Sequence, residues 1–454
     1  MDAIIEMDLT TNAKRIPGVL RPKSSVIIYG TGAEATIPAF ANLANSLMLA
    51  FFFVYQLDAQ RDRAANGINQ MLEEGKLSSR IGLTFPLADT AAAHEAVERG
   101  TIRNALFGQS KDQGEDKLKA YELQGPGGVD EMRLVEKPDP TPGPGQVLVK
   151  LKAATINYRD LLTVKGGYGS RQKFPLVPLS DGAGVVESLG AGVAAFKPGD
   201  RVTGSFFEGW LGGEPSETKM RTNLGGAFDG VLCEYRVWPA AALVRTPEHL
   251  TDVEAASLPC AGLTAWSAVV KLGNIRPGQT VLTQGTGGVS IFALQFAKMS
   301  GARVIATSSS EAKIEKLKAL GADITINYKT TPEWGKLARQ ATGHGVDLVV
   351  EGGGVGTLNE SIRATRIGGS IAFIGVLAGR PESESRLPLM VMQQQRLQGV
   401  TVGSVEDLQA MADAIAVNRM KPVMDRTFPF TEARAAFAHM ASGAHFGKVA
   451  VEMG

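Results

Sequence analysis

The clearest pattern of apolar and polar positions along the chain lies in residues 280–301. A short apolar run at 281–283 predicts a buried strand, and apolar residues at helical spacing follow from 289 to 296. A second apolar run at 303–307 predicts another strand. A glycine-rich turn separates the first strand from the helix. We therefore predict the order strand, turn, helix and strand, which is the repeating unit of a parallel α/β sheet.

The alternation of strands and helices continues through the C-terminal part of the chain. The other strand candidates there are 323–327, 346–350, 370–374 and 399–402. Residues 118–244 differ, because short strand patterns are separated there by turns rich in proline and glycine. These patterns predict an α/β protein with a doubly wound parallel sheet and a smaller β-rich domain, preceded by a partial α/β segment.

The first part of the chain repeats features of the last part. An apolar run that closes on glycine occurs at 26–30 and again at 371–375. A Phe-Pro pair before an Ala-rich helical pattern occurs at 85–100 and again at 428–443. We therefore predict that the N-terminal segment is a partial copy of the C-terminal part. The copy contains no phosphate-binding turn, so we do not expect it to bind a dinucleotide by itself.

The other N-terminal patterns are weaker. Residues 1–25 carry little pattern, residues 47–55 predict an aromatic-rich strand, and residues 58–74 and 89–99 predict helices. The polar run 108–117 has no apolar anchor and predicts a linker. We therefore expect the N-terminal segment to end at residue 107 and a new domain to begin at residue 118.

Composition and charge exclude several functional classes. The 454 residues are 44% hydrophobic and 20% charged, which is typical of a soluble enzyme. A formal net charge of +1 gives no electrostatic reason to expect nucleic-acid binding. The N-terminus has no signal-peptide pattern, and the most apolar run, 47–57, is too short to span a membrane. We therefore expect a cytoplasmic protein that binds a small-molecule substrate, with no nucleic-acid or membrane partner.

The turn between the first strand and the helix has the chemistry of a dinucleotide-binding loop. Gly285 allows a sharp turn, and Gly287 and Gly288 let the backbone approach a pyrophosphate. The helix that follows directs its free N–H groups and positive dipole end at the same point. Ser290 stands where the third glycine of the G-x-G-x-x-G pattern is usual. The alternative is a plain glycine turn, but the position between a strand and a helix favours a nucleotide cofactor.

The end of the second strand indicates which cofactor binds. An NAD site has an acidic residue there for the ribose 2′-hydroxyl. This chain instead has three serines at 308–310, followed by Lys313. Hydroxyl groups and an ammonium suit a 2′-phosphate, so we predict NADPH. The alternative is that the serines only cap the next helix.

Taken together, these motifs resemble those of the medium-chain dehydrogenase/reductase superfamily. The segments that carry the resemblance are the glycine turn and residues 154–160, 197–202, 258–265, 320–323, 326–328 and 447–449. The branch that the chain resembles is that of the zinc-independent quinone oxidoreductases, which includes NADPH:quinone reductases and zeta-crystallin-like proteins. The resemblance covers residues 118–454.

The resemblance implies a domain order. It implies a GroES-like catalytic domain at 118–244, a Rossmann NADP-binding domain at 245–403 and a return to the catalytic domain at 404–454, with the active site in the cleft between them. Residues 21–101 resemble the C-terminal part of a related reductase, cut off before its last strand, so that 1–107 form a partial reductase segment. The linker at 108–117 joins this partial copy to the complete enzyme.

The resemblance also implies the residues that hold the cofactor. The pyrophosphate would contact Gly287, Gly288 and Val289. The 2′-phosphate would contact Ser308, Lys313 and Tyr328. The nicotinamide would face Thr264 and the backbone of Gly375, Val376 and Leu377.

A metal is not expected in this cleft. The zinc-dependent branch has a cysteine where this chain has Asn157, and Gly-His-Glu where it has residues 179–181. Cys260, near the usual third ligand, is the one soft ligand that remains, and one such ligand cannot hold zinc tetrahedrally. We therefore predict a site without metal and a small buried role for Cys260.

The expected chemistry is hydride transfer to a conjugated acceptor. Without a Lewis acid, an unactivated ketone is hard to reduce, whereas a quinone or an α,β-unsaturated carbonyl accepts hydride while a hydrogen-bond donor stabilises the enolate oxygen. Asn157 and Tyr168 are the predicted catalytic donors, although Tyr168 could instead only shape the pocket. The alternatives are an NAD(P)-dependent alcohol dehydrogenase and a non-catalytic, crystallin-like NADPH-binding protein.

Two predicted strands raise the question of assembly. In the resembling family, the strand that matches 47–55 lies at a sheet edge and pairs with its twin in a homodimer. This chain has a second such edge at 399–403. The two edges could pair within one chain, because a long apolar edge left unpaired promotes aggregation. The alternative is an orphan N-terminal fragment. Separately, the chain could form a homodimer.

Overall fold

The computed structural model describes residues 117–167, 172–375, 377 and 386–454, and five short strands before them. The chain divides into two compact units, Met1–Gln113 and Gly114–Gly454. The division falls inside the segment 108–117 that the sequence predicts to be a linker. Each unit is described by itself.

The N-terminal unit contains parallel strands. They are β1 (Ala3–Glu6), β2 (Ser25–Ile28), β3 (Met48–Phe51), β4 (Leu83–Pro86) and β5 (Ala105–Gly108). The first three form one parallel sheet in the order β1-β2-β3, and β4 pairs with β5 in parallel. The predicted strands at 26–30 and 47–55 correspond to β2 and β3. The predicted helices of this unit lie outside the described residues.

The second unit begins with a β-rich part that contains two sheets. Its elements are β6 (Lys117–Leu123), β7 (Met132–Pro138), β8 (Gln146–Ile156), α1 (Tyr158–Val164), β9 (Asp181–Leu189), β10 (Arg201–Gly204), α2 (Glu217–Met220), β11 (Tyr235–Pro239) and β12 (Leu243–Arg245). Strands β6 and β7 form an antiparallel pair. Strand β8 alternates between intermediate and buried side chains over most of its length, which is the pattern of a strand with one face on a core. That core includes the buried Trp238 and Phe437.

Residues 205–229, a glycine-rich and largely polar segment of the sequence, are anchored in the core. Phe206, Phe207 and Trp210 are buried, with 1%, 4% and 5% of their surfaces exposed. The Phe206 and Phe207 rings pack edge to face at a centroid distance of 4.6 Å. Because these aromatic residues are scattered among glycines without a regular period, the sequence pattern alone does not reveal them as core residues.

A helical stretch, Asp252–Lys271, connects the β-rich part to the parallel sheet. It consists of α3 (Asp252–Ala255), a π-helical turn (Leu258–Gly262), α4 (Leu263–Trp266) and a second π-helical turn (Ser267–Lys271). Among the described residues, this stretch is the one helix long and apolar enough to cross a membrane. Because 72% of its apolar window is buried inside the fold, we interpret it as a core helix.

The parallel sheet has the doubly wound arrangement that the sequence predicts. Its elements are β13 (Thr280–Gln284), α5 (Gly288–Met299), β14 (Arg303–Ser308), α6 (Glu311–Ala319), β15 (Ile324–Asn327), α7 (Trp334–Thr342), β16 (Val346–Glu351), α8 (Leu358–Ala364), β17 (Thr365–Phe373), α9 (Leu387–Met392) and β18 (Arg396–Gly399). The strand order is β15-β14-β13-β16-β17-β18, and all neighbours are parallel. The predicted fold class is confirmed.

The last strand of this sheet is not where the sequence predicts it. The apolar run at 399–402 predicts a strand, but β18 covers Arg396–Gly399. All four residues of β18 are exposed, so the strand is held by backbone pairing with β17 and has no apolar pattern. Val400 and Val402 are buried because they turn into the core beyond the strand end, and Val402 has a φ of +40°.

The chain then returns to the β-rich part. The elements are α10 (Val405–Asn418), β19 (Met424–Pro429), α11 (Ala433–Ala441) and β20 (Lys448–Glu452). Helix α10 packs Leu408 and Met411 into the same core as α5. Strands β19 and β20 join the sheet of the β-rich part, in the order β12-β10-β9-β8-β20-β19. The pairing of Val449 with Ile156 therefore brings the start of β20 next to the end of β8.

The N-terminal unit contains two strands, β1 and β5, that the sequence does not predict. The parallel pair β4 and β5 has the same arrangement as β19 and β20, so the expectation that the copy is cut off before its last strand is wrong. The weakly patterned residues 1–25 also contain a strand, β1, which pairs in parallel with β2. Strands β1 and β5 each have only four residues, which is too short for a reliable periodic signal. The predicted domain limits remain predictions.

Candidate active site

The glycine turn after β13 has the conformation that a dinucleotide loop needs. Gly285 has a φ of +75°, and its N–H donates to the carbonyl oxygen of Thr307 at 2.9 Å. Gly287 is the N-cap of α5, and a Cβ atom there would meet nothing within 4 Å. Protein packing therefore does not require glycine at 287, and open space lies in front of the helix N-terminus. Val289 follows in the first turn of α5.

At position 288, unlike position 287, protein packing does require glycine. A Cβ atom at this position would lie 2.7 Å from Cδ of Lys448. The missing side chain thus makes room for the stem of a lysine from the C-terminal return, a role that the sequence does not reveal.

Ser290 replaces the third glycine without disturbing the turn. Its side chain is 7% exposed, and its hydroxyl donates to the carbonyl oxygen of Gln284 at 2.6 Å. The hydroxyl therefore ties the first turn of α5 to the end of β13.

A cavity of about 290 Å³ lies at the carboxyl ends of the parallel strands. It is lined by Gln284, Gly285, Thr307, Tyr328, Trp334, Gly352, Gly353, Thr357 and Leu377. Strands β14 and β16 lie on opposite sides of β13, so the order of the strands reverses at this point. Doubly wound sheets bind their ligands at the carboxyl ends of the strands at such a switch point. Three of the predicted cofactor residues, Gly285, Tyr328 and Leu377, line this cavity.

The predicted 2′-phosphate residues are only partly brought together. The Tyr328 N–H donates to the carbonyl oxygen of Ser308 at 3.1 Å, and the Tyr328 side chain is 41% exposed. The Lys313 ammonium instead donates to the carbonyl oxygens of Gly443 and His445, both at 2.9 Å. Burial lowers the pKa of Lys313.

The serines after β14 also serve the following helix. Ser310 is the N-cap of α6, and its hydroxyl accepts from the Lys313 N–H at 3.4 Å. Ser308 is buried, and its hydroxyl accepts from the Ser310 N–H at 3.3 Å. Helix capping, the alternative left open by the sequence, therefore applies at least to Ser310.

The predicted nicotinamide residues lie on two elements. Thr264 is buried on α4, directly after the π-helical turn Leu258–Gly262. The Gly375 N–H donates to the carbonyl oxygen of Glu351 at 3.0 Å, and a Cβ atom at 375 would overlap the backbone of Gly352. Leu377 is 56% exposed, and Val376 lies outside the described residues.

Sequence reasoning misses the carboxylate that organises the cavity. Glu351 is fully buried at the end of β16 and accepts from the N–H groups of Gly353 and Gly354, both at 2.8 Å. It also accepts from the Gln284 amide at 2.8 Å and from the Thr357 hydroxyl at 2.5 Å. An acid followed by three glycines at the end of a predicted parallel strand is the signal that could have identified it.

The predicted catalytic residue Asn157 lies at the N-terminus of α1, with 7% of its surface exposed. Its backbone N–H donates to the Asp160 carboxylate at 2.8 Å, and burial raises the pKa of Asp160. Its Oδ1 atom accepts from the Lys448 ammonium at 2.6 Å. Its Nδ2 atom is buried and has no partner within the described part of the chain. The other predicted donor, Tyr168, lies outside the described residues.

Lys448 is the main residue of the cleft that the sequence leaves without a role. It is 2% exposed, and its ammonium also donates to the carbonyl oxygen of Ile156 at 3.0 Å. The ammonium lies 3.6 Å from Oδ2 of Asp181, which is fully buried. Asp181 accepts in addition from the Ser180 hydroxyl at 2.7 Å and from the Cys260 N–H at 3.3 Å.

These residues do not fit a tetrahedral zinc ion. Among the described residues there is no group of three or more His, Cys, Asp or Glu side chains placed to hold a metal. The available oxygens, on Asn157 and Asp181, already face the ammonium of Lys448. A divalent cation beside this buried positive charge would be repelled. The absence of a metal remains a prediction for elemental analysis.

A larger depression, of about 1030 Å³, lies on another part of the second unit. It is lined by residues 250–253, 427–431 and 452–454, together with Lys152 and Arg201. It contains none of the predicted site residues, so the smaller cavity at the strand ends is the candidate cofactor site.

Comparison with known proteins gives consistent matches over the second unit. Residues 143–248 match the alcohol dehydrogenase GroES-like domain, and residues 288–417 match the family described as zinc-binding dehydrogenase. The chain is 44% identical over 316 residues to a zinc-type alcohol dehydrogenase-like protein from Schizosaccharomyces pombe, covering 68% of this chain and 91% of the relative. It is 31% identical over 341 residues to a chloroplast envelope quinone oxidoreductase homolog from Arabidopsis thaliana, covering 72% of this chain and 95% of the relative.

The similarity extends to solved structures. A crystal structure of an NAD-dependent alcohol dehydrogenase superposes with a TM-score of 0.68 at 35% identity, covering 74% of this chain and all of that chain. Alcohol dehydrogenases and a quinone oxidoreductase homolog therefore both occur among the similar proteins.

Proposed function

Because the chain belongs to the medium-chain dehydrogenase/reductase superfamily of oxidoreductases, we propose that it transfers hydride from NADPH to a quinone or an α,β-unsaturated carbonyl without a metal. The observation that carries the proposal is the hydrogen bonding of the Asn157 side-chain amide. Its buried Nδ2 is a hydrogen-bond donor without a partner within the described residues, and its Oδ1 is held by an ammonium. A buried donor left unpaired is costly, so it suits an oxygen that the substrate brings.

The residues of the cleft support this chemistry. NADPH, when bound, supplies the hydride. The Asn157 Nδ2 group would donate to the carbonyl or quinone oxygen, on which negative charge develops as hydride adds to the conjugated carbon. Since the donor is already fixed before the substrate binds, little reorganisation is needed at the moment of reaction. The net reaction consumes one hydride and one proton for each acceptor.

We propose NADPH as the cofactor because of the end of β14. The residue there is Ser308, where an NAD site has an acidic residue, and the exposed Tyr328 lies next to it. One similar solved structure is named as an NAD-dependent alcohol dehydrogenase. NADH is therefore the cofactor against which the binding and oxidation of NADPH should be compared.

Alcohol oxidation is the second candidate, and the names of several relatives favour it. A zinc-type mechanism needs a metal to activate the alcohol. The ammonium of Lys448 beside Asn157 and Asp181 argues against that here. A non-catalytic NADPH-binding role is the third candidate. We place each of these activities in the cytoplasm.

The deciding experiment is an assay of the full chain with NADPH and NADH against quinones, enones and secondary alcohols, with and without a chelator. We expect NADPH oxidation with quinones or enones that the chelator does not change, and no stoichiometric zinc in elemental analysis. About one zinc per chain, with alcohol oxidation lost on chelation, would support the alcohol dehydrogenase instead. NADPH binding without turnover of any acceptor would support the non-catalytic role.

A further inference from the structure

Lys448 reaches the cleft from the point where the C-terminal return touches the dinucleotide turn. The N–H of Gly447 donates to the carbonyl oxygen of Thr286 at 2.9 Å. The lysine stem then passes Gly288, where a Cβ atom would collide with it. The ammonium ends between Ile156, Asn157 and Asp181 and is almost completely buried. A long charged side chain in such a place has a defined position rather than a solvated one.

The contact with Lys448 fixes the orientation of the Asn157 amide. The two ends of an asparagine amide are told apart by their hydrogen-bond partners. An ammonium has three donors and no acceptor, so the amide atom that it binds must be the oxygen. The Nδ2 group consequently points away from Lys448, and it is a buried donor with no partner within the described residues.

The contact also changes the strength of the donor. A hydrogen bond from a charged group polarises the group that accepts it, and linked hydrogen bonds strengthen one another. The bond is short, at 2.6 Å, and lies in a buried environment where electrostatic effects are large. An amide held in this way donates more strongly than a solvated one.

We propose that Lys448 is a positioning residue of the reductase, which acts through Asn157 by orienting and polarising the Nδ2 donor toward the acceptor oxygen. This inference rests on the proposed function. In it, the ammonium supplies the positive charge behind the donor, and Asp181 balances that charge at 3.6 Å. Lys448 does not touch the reacting atoms.

The first test compares Lys448→Met with the control Lys298→Met, in which the lost lysine pairs with Asp323 on the surface. Single-turnover hydride transfer is measured at saturating NADPH, and the NADPH dissociation constant is measured by fluorescence. We expect Lys448→Met to slow hydride transfer by about tenfold to a hundredfold, somewhat less than the loss of a direct donor. The NADPH dissociation constant should stay within about twofold of the wild-type value, because the ammonium faces Asn157 rather than the cofactor cavity. If Lys448→Met leaves the rate of hydride transfer unchanged, the proposal is overturned. If the variant also binds NADPH more weakly at that unchanged rate, Lys448 is a ligand of the cofactor phosphates instead.

The second test is a double-mutant cycle with Asn157→Ala. If Lys448 acts through Asn157, the double variant transfers hydride no more slowly than Asn157→Ala alone. Losses that multiply would show an independent role and reject the proposal. Removing the ammonium leaves Asp181 buried without its cation, which is destabilising. Thermal denaturation therefore accompanies each assay, and Lys448→Met/Asp181→Asn replaces the single variant if that one does not fold.

The third test does not depend on turnover. In protein with ¹⁵N-labelled asparagine, the Asn157 side-chain amide is identified by its loss in Asn157→Asp. We expect its proton signals to shift and to exchange faster with solvent in Lys448→Met, and to stay unchanged in Lys298→Met. An amide signal that Lys448→Met leaves in place contradicts the positioning role even if no acceptor is found. If instead the signal moves but the wild-type protein reduces no quinone or enone, the proposed function fails and the positioning of Asn157 stands.

Discussion

At the scale of single residues, the cofactor preference depends on groups at the end of β14. Lys313 is the predicted charged contact to a 2′-phosphate, and its ammonium now bonds to the carbonyl oxygens of Gly443 and His445. Its role therefore requires that a phosphate replace or join these carbonyls. A charged phosphate is a stronger acceptor than a neutral carbonyl, so the exchange is favourable in sign.

We predict that Lys313→Ala weakens NADPH binding by roughly tenfold to a hundredfold, equivalent to about 1.5–3 kcal/mol for a charge-assisted bond, and leaves NADH binding nearly unchanged. Titration of both cofactors measures the effect. Lys318→Ala, which removes an exposed lysine paired with Glu315 on the same helix, is the control and should change neither. An equal loss for NADPH and NADH would sink the assignment.

His445 makes stability depend on pH. The side chain is 9% exposed, and burial together with the charge of Lys313 lowers its pKa from 6.5 to about 4. Because the unfolded chain takes up this proton at a higher pH, the contribution of neutral His445 is complete above pH 6.5. It is lost as the pH falls from 6.5 to about 4.

We expect this histidine to account for about 3 kcal/mol of the fall in the free energy of unfolding over that range. Urea denaturation at several pH values measures it. The fall should shrink by that amount in His445→Gln and persist in His344→Gln, in which the histidine is exposed. A fall of the same size in His445→Gln would assign the pH dependence to other groups.

At the scale of elements, segment 205–229 supports the start of α10. The carbonyl oxygens of Trp210 and Leu211 accept from the N–H groups of Val405 and Glu406, at 2.9 and 3.0 Å. The Trp210 ring packs at 5.9 Å from the Phe207 ring and donates through Nε1 to the carbonyl oxygen of Gly213 at 2.9 Å. The segment thus acts as a packed cover for the helix terminus.

We predict that Trp210→Ala lowers the free energy of unfolding by about 3–5 kcal/mol, as expected for a buried aromatic residue. The neighbouring Leu211 is 46% exposed, so Leu211→Ala should change stability by only about 0.5 kcal/mol. Chemical denaturation of both variants measures the difference. Equal small effects would mean that the segment does not pack on the core as described.

The sequence predicts those elements whose side chains carry a periodic pattern. Strands β13 and β14 and the turn at Gly285 are found within a residue of their predicted places, because both strands are buried. The prediction for β18 is misplaced because the four residues of this strand are exposed and carry no apolar pattern. The pair of Asn157 and Lys448 is separated by 291 residues, so no local pattern could reveal it.

At the scale of the whole molecule, two terminal strands bear on assembly. Strand β3 ends the described N-terminal sheet, and β18 ends the parallel sheet of the second unit. A terminal strand presents unpaired backbone groups that favour pairing with another strand. The sequence leaves two outcomes open: pairing of these edges within one chain, or an orphan N-terminal unit.

Deletion of residues 1–116 separates the two outcomes, because the cut lies at the boundary between the compact units. If the N-terminal unit pairs with β18, the truncated protein should self-associate or precipitate, because an unpaired strand edge promotes association. Size-exclusion chromatography with light scattering, together with the reductase assay, measures this. A truncated protein that stays soluble, active and unchanged in oligomeric state would show that the N-terminal unit does not cover that edge.

The hydrogen bond between Gly447 and Thr286 joins the two walls of the cleft beside the glycine turn. If one wall rotates against the other while this hydrogen bond is kept, the rotation axis must pass close to the bond. Displacement in a rotation grows with distance from the axis, so the adjoining Gly288 and Lys448 would travel least, while distant groups sweep wider arcs. If the cleft opens by such a rotation, the direction of its hydrogen-bond donor should change little.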